Sequence, residues 1–133
     1  MNKLEIYTDG AYSASRKSGG WSFIIVKNGE RIHSAFGKVV GTTINRMEVF
    51  AACEALNWMR ENNYTNAPLT SDSKYLVSTM KGEYQRKTNL PFWSLIDKLN
   101  EGLNIEWIHI RGHQGNKWNE MCDLLCVTGS QME

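Results

Sequence analysis

From Leu4 the chain runs LEIYTDGAYS, and the alternation of β-branched, aromatic and polar residues over positions 3–8 predicts a strand that stops at Asp9-Gly10. GWSFIIVKNGERIHSAFGKVV follows, with apolar runs on both sides of Asn28-Gly29, a dipeptide favoured in type I′ hairpin turns. Three antiparallel strands are therefore expected first. The rhythm then lengthens: Ile44, Glu48, Ala51, Ala52, Ala55 and Met59 fall on one helical stripe, capped by Thr42 or Thr43 and broken near Asn62. A short strand near Leu69–Ser71 leads into a helix through Lys74–Met80, for which Ser73 is the natural cap. After a polar connection from Lys81 to Asn89, Pro91 fits the first turn of a helix through Leu99, LNIEWIHI reads as a fifth strand, and a last helix covers about Asn119–Val127. The order β β β α β α α β α predicts an α/β fold, a five-stranded mixed sheet flanked by helices.

At 133 residues the chain fits one domain, 1–133, with residues from about 128 onward expected to fray. A hydrophobic content of 41% and a charged content of 22% exclude disordered and fibrous classes. The beginning, MNKLEIYT, has no apolar stretch before a cleavage site, and no run approaches the roughly 20 apolar residues of a membrane span. A cytoplasmic monomer without membrane contact is the expectation. Cys53, Cys122 and Cys126 are an odd number without a C-x2-C pair, which argues against a disulfide framework. His109, His113, Cys122 and Cys126 raise a rival, a zinc site, although the cysteines sit in a stretch that reads as helical and suit packing better. The net charge of +1 offers no basic excess for binding phosphate.

Four acids change that picture. Asp9 and Asp72 each end a predicted strand, and each has a plain alternative role, Asp9 in an Asp-Gly turn and Asp72 as a helix cap. Asp123 shares a helical face with Cys126 and Val127, or is simply a solvated charge. Glu48 is harder to set aside, because a carboxylate on a stripe of alanine and methionine is costly to desolvate without a proton, a cation or a metal. If the strands carrying Asp9 and Asp72 are neighbours and the two helices cross that end of the sheet, the four meet. Such a cluster suits magnesium or manganese, and two such ions about 4 Å apart support phosphodiester hydrolysis while neutralising the acids. His113, in the glycine-containing loop IRGHQGNKWNE, is suited to moving a proton or helping a product leave.

YTDGA at Tyr7–Ala11, Gly19-Gly20, TINRMEVFAA at Thr43–Ala52, SDSKYLV at Ser71–Val77 and WIHIRGHQGNKWNEMCD at Trp107–Asp123 together resemble type 1 ribonuclease H over nearly the whole chain. The resemblance implies the ribonuclease H-like fold and an endonuclease that hydrolyses the RNA strand of RNA/DNA hybrids, leaving 5′-phosphate and 3′-hydroxyl ends. It implies Asp9, Glu48, Asp72 and Asp123 as ligands of two magnesium ions, for which manganese can substitute, with Glu48 also meeting a 2′-hydroxyl and His113 assisting water activation or product release. By the same resemblance Gly10, Asn45 and Lys74 line the RNA minor groove, and Thr43 and Arg46 hold a phosphate of the DNA strand.

Departures from the family pattern are visible. Ser13 to Ser18 replaces a glycine- and proline-rich loop, Ile44 stands where asparagine is common, and the long basic protrusion is missing, leaving Lys81, Arg86 and Lys87 in a short connection. Weaker hybrid binding is expected, or a tethering partner or a larger replication or reverse-transcription assembly. A catalytically silent hybrid- or RNA-binding module on the same fold is the rival of a different class, and four acids facing phosphates argue against it. A DNA-strand nuclease or resolvase is the rival within the enzymes.

Overall fold

The structure is a computed structural model and describes residues 3–112 and 114–133. β1 (Leu4–Ser13), β2 (Ser18–Lys27) and β3 (Glu30–Val40) form an antiparallel meander. Lys27 pairs with Glu30 across the turn, where Asn28 and Gly29 take φ of 53° and 82°, the two positive values that a type I′ turn requires. α1 (Ile44–Glu61) then crosses the sheet to β4 (Asn66–Ser71), which lies parallel to β1, and α2 (Lys74–Met80) and α3 (Leu90–Asn100) lead to β5 (Asn104–His109), parallel to β4. α4 (Lys117–Ser130) completes the chain, and the sheet order is β3-β2-β1-β4-β5.

Both faces of the sheet are covered, so the central strands are buried nearly throughout. On one face Leu4, Ile6, Phe23, Ile25 and Leu69 pack against Val49, Ala52, Leu56 and Met59 of α1, with Leu76 of α2 and Trp93 and Ile96 of α3. On the other, Tyr7, Ile24 and Val26 pack against Cys122 of α4. The two helices on opposite faces are what later supply acids from two directions.

Three expectations need correction. β1 does not stop at Asp9: Asp9 pairs with Ser22 and Gly10 with Trp21, so Asp-Gly is strand interior rather than a turn. What stops there is the parallel partner, since β1 pairs with β4 only at Ile6 and Tyr7. Ile44 leaves the buried stripe and is 50% exposed, because it is the first helical residue, at the open end of α1. Finally, the tail does not fray at residue 128. α4 runs to Ser130, where Gly129 and Ser130 are buried and Ser18 Oγ donates to the Ser130 carbonyl at 2.6 Å. Helical spacing alone missed this anchoring because the bond spans most of the chain.

Candidate active site

Asp9 reaches the site from the middle of β1, beyond the point where β4 leaves the sheet. It is 2% exposed; its Oδ1 accepts from the Gly10 N–H at 2.9 Å, and its Oδ2 has no hydrogen-bond partner among the described residues. Glu48 comes from the second turn of α1, also buried, with Oε1 equally without a partner. Glycine beside Asp9 makes this approach possible: a Cβ on Gly10 would stand 2.6 Å from the Glu48 backbone nitrogen and 2.7 Å from the Met47 carbonyl carbon.

Asp72 sits between the last residue of β4 and the cap of α2. The cap is Ser73, whose Oγ accepts from the Leu76 N–H at 3.1 Å, while Ser71 Oγ accepts from the Ser73 N–H at 3.0 Å. Capping is therefore done by serine, and the Asp72 carboxylate is left for the site. Asp123 arrives from the opposite face on α4, which comes close because Gly20 of β2 has no side chain; a Cβ there would lie 1.9 Å from the Cys126 carbonyl oxygen. The Gly19-Gly20 pair noted in the sequence thus has a structural reason on the α4 side.

The structure brings the four acids together. Carboxylate oxygens of Asp9, Glu48 and Asp72 lie within 4.8 Å of one another, and an oxygen of Asp9, one of Asp123 and Cys126 Sγ form a second such group. Among the described residues no basic side chain forms an ion pair with them; the ion pair found there, Arg86 with Asp97, is elsewhere. Burial, then the Asp72 charge and, more weakly, Asp123 push the Asp9 carboxyl up from 3.8 to about 8, against the partial offset of the Gly10 N–H. Burial first and the charges of Asp9 and Asp72 next hold Glu48 well above the ordinary carboxylate range. Two buried oxygens without donors among the described residues, in a cluster of four carboxylates that repel one another, fit a hard divalent cation. These four are the residues that would hold it.

The predicted substrate contacts divide. Thr43 caps α1, its Oγ1 accepting from the Arg46 N–H at 3.2 Å. Asn45 and Lys74 are exposed, whereas Gly10 is buried under α1 and serves the close packing just described. His113 lies outside the described residues. Sequence reasoning missed Asn89, which takes φ of 57° at the start of α3 and whose side chain makes no cap bond. Its Oδ1 instead accepts from Arg46 Nε at 2.9 Å and its Nδ2 donates to Tyr75 Oη at 3.0 Å. Asparagine just before Leu-Pro at a helix start was the available signal, and it reads as a cap. Arg86 of the short connection is tied to Asp97 and lies 5.2 Å over the Trp93 ring, so it braces α3.

The described residues do not assemble the His/Cys zinc site: His109 is exposed at the end of β5 and belongs to no ligand cluster of the described residues, Cys122 Sγ lies 3.0 Å from Ser22 Oγ within the core, and Cys126 groups with carboxylates rather than with His109.

The sequence profile of the RNase H family matches residues 1–131. The chain belongs to the RNase H family. Among curated relatives, a ribonuclease H of Acetivibrio thermocellus is 36% identical over 142 aligned positions, covering 96% of this chain and 94% of that protein. One of Treponema denticola is 32% identical, covering 96% and 97%. Solved structures agree on the fold: RNase H1 of Halobacterium salinarum superposes with a TM-score of 0.85 at 18% identity, covering 96% of both chains. LC11-RNase H1, solved in complex with an RNA/DNA hybrid, gives 0.82 at 22% identity and covers 95% of both. The present chain is thus a ribonuclease H hydrolase, and the parallel pairing of β1 with β4 in the ribonuclease H-like sheet is what brings Asp9 and Asp72 to the same end of that pairing.

Proposed function

We propose that this ribonuclease H is an endonuclease that hydrolyses the RNA strand of RNA/DNA hybrids, leaving 5′-phosphate and 3′-hydroxyl ends. The observation that carries the reading is the meeting of Asp9, Glu48, Asp72 and Asp123 from four separate elements, with buried oxygens that lack donors. The hybrid bound to LC11-RNase H1, a protein of the same fold, supports the substrate class.

When bound at the four carboxylates, two magnesium ions, or manganese in their place, supply a nucleophilic water and charge stabilisation at the leaving oxygen. The chain's own part is positional. β1 and the end of β4 fix Asp9 and Asp72 from the sheet, and α1 and α4 bring Glu48 and Asp123 from either side. Asn45 and Lys74, both exposed, would meet the RNA minor groove, where 2′-hydroxyls identify RNA. At the start of α1, the Thr43 hydroxyl retains a proton to donate. Arg46, with Nε taken by Asn89, keeps its two terminal nitrogens for a DNA phosphate.

The connection between α2 and α3, residues 81–89, contains no helix, and Arg86 is occupied by Asp97. Grip on the hybrid then rests on few cations, and a tethering partner or a larger replication assembly would compensate. Incubating the protein with end-labelled RNA/DNA hybrid, duplex DNA and duplex RNA in magnesium, with Asp9→Asn as control, tests the reading. Magnesium-dependent cuts confined to the RNA of the hybrid are expected. Hybrid binding without cleavage would favour the silent module, and cutting of duplex DNA would favour a different nuclease.

A further inference from the structure

Cys126 lies beside two of the four acids, and its Sγ is within 4.8 Å of a carboxylate oxygen of Asp9 and one of Asp123. The placement follows from α4. Cys126 lies three positions after Asp123, which puts both on one helix face, and Gly20 allows that face to close onto β2. Cys126 has no exposed surface, and Asp9 has almost none.

The bonding within this group is incomplete. Asp9 Oδ2 is buried without a hydrogen-bond partner among the described residues, and the Cys126 thiol donates to the Asp123 backbone carbonyl, 3.2 Å away and three residues back on its own helix. Cys122, the other thiol of α4, differs: it meets Ser22 Oγ at 3.0 Å and the Tyr7 carbonyl at 3.6 Å. A sulfur and two carboxylates facing one another form a mixed donor set, for which thiophilic ions have far higher affinity than magnesium.

We infer that Cys126, Asp9 and Asp123 form a second, softer cation site, which takes a thiophilic divalent ion such as cadmium or zinc and withdraws two of the four carboxylates from the hard-metal cluster. Zinc bonds of about 2.3 Å to sulfur and about 2.1 Å to oxygen require the three donors to draw in by about an ångström, within reach of side-chain rotation. On binding, the S–H proton and any proton held by the Asp9 carboxyl pass to solvent, and sulfur–metal and oxygen–metal bonds replace them, with no change of oxidation state. Occupancy of the site by itself is independent of nuclease activity. Its consequence, inhibition, rests on the proposed function above.

Cadmium titration of the metal-free chain, followed by the ultraviolet charge-transfer absorption of a cadmium–thiolate bond, tests the site. One equivalent is expected to produce the band in the parent and in Cys122→Ala. Cys126→Ser, close in size but a poor soft-metal ligand, should lose it. Asp9→Asn and Asp123→Asn keep the thiol and should need at least tenfold more cadmium; they decide the matter if Cys126→Ser does not fold. No band in the parent, an undiminished band in folded Cys126→Ser, or unchanged half-saturation in both aspartate variants would overturn the inference. In magnesium-dependent hybrid cleavage, Cys126→Ser should require at least tenfold more cadmium for half-inhibition, and equal sensitivity would remove the inhibitory role. Absence of any cleavage by the parent would defeat the nuclease reading while leaving the absorption result to judge the site.

Discussion

Replacing Asp9 by asparagine should make the metal-free protein more stable, and by an amount that depends on pH. In the native state Asp9 is buried beside Asp72 and Glu48, and its carboxyl is pushed up from 3.8 to about 8. Between those two values the folded protein keeps a proton that the unfolded chain has released. Stability therefore falls as pH rises through that window, at up to about 1.4 kcal/mol per pH unit for the one proton. It is fully present below the lower value and flat above the upper one. At pH 7.5 the bound on this cost is roughly 5 kcal/mol, and water entering the open side of the cluster reduces it, so about 2 kcal/mol is the expected gain for Asp9→Asn. The asparagine Oδ1 can keep the 2.9 Å bond from the Gly10 N–H, and its amide can donate to the Asp72 or Glu48 carboxylate. Urea unfolding in chelator, followed by tryptophan fluorescence at intervals from pH 4 to pH 8.5, measures the difference between the two proteins, in which other titrations largely cancel. The difference should be near zero at the acid end and grow toward pH 8. A difference that stays constant across the range, or a variant less stable than the parent at pH 8, would show that the acids are not crowded as described.

Magnesium should raise the parent's melting temperature by mass action, by the equivalent of about 2.7 kcal/mol at one hundred times its Kd, and should raise that of Asp9→Asn much less; equal shifts in a thermal scan would place the ion elsewhere. Gly20→Ala puts a Cβ 1.9 Å from the Cys126 carbonyl oxygen, so about 1–3 kcal/mol of stability should be lost as α4 is forced outward. Hybrid cleavage should fall further than that loss explains, and unaltered stability in urea would count against the close approach. The logarithm of hybrid affinity against that of salt concentration should have a slope no steeper than about −4, since the connection between α2 and α3 adds no basic helix and its Arg86 is tied to Asp97, and a slope near −8 would contradict this. Asn89→Ala removes the acceptor that holds Arg46 Nε; hybrid binding should weaken about three- to tenfold with little change in the cleavage rate at saturation, a split that single-turnover kinetics resolves.

The order of elements, the hairpin turn and the caps were legible in the sequence because each is a local matter. Asn28-Gly29, Thr43 and Ser73 determine their own backbones through φ preference or a bond reaching three residues ahead, and the chain obeys them. Glu48 announced itself as well, since a carboxylate on an apolar stripe has few solutions. Tertiary structure decided what depends on partners distant in the chain. It carried β1 past Asp9 because β2 continues to pair where β4 does not, held the end of α4 through Ser18, set the Asn89 side chain as a support for Arg46, and set Cys126 against Asp9. In each case the energy comes from a contact between residues whose separation along the chain carries no signal of their distance in space, so periodicity and propensity had nothing to register.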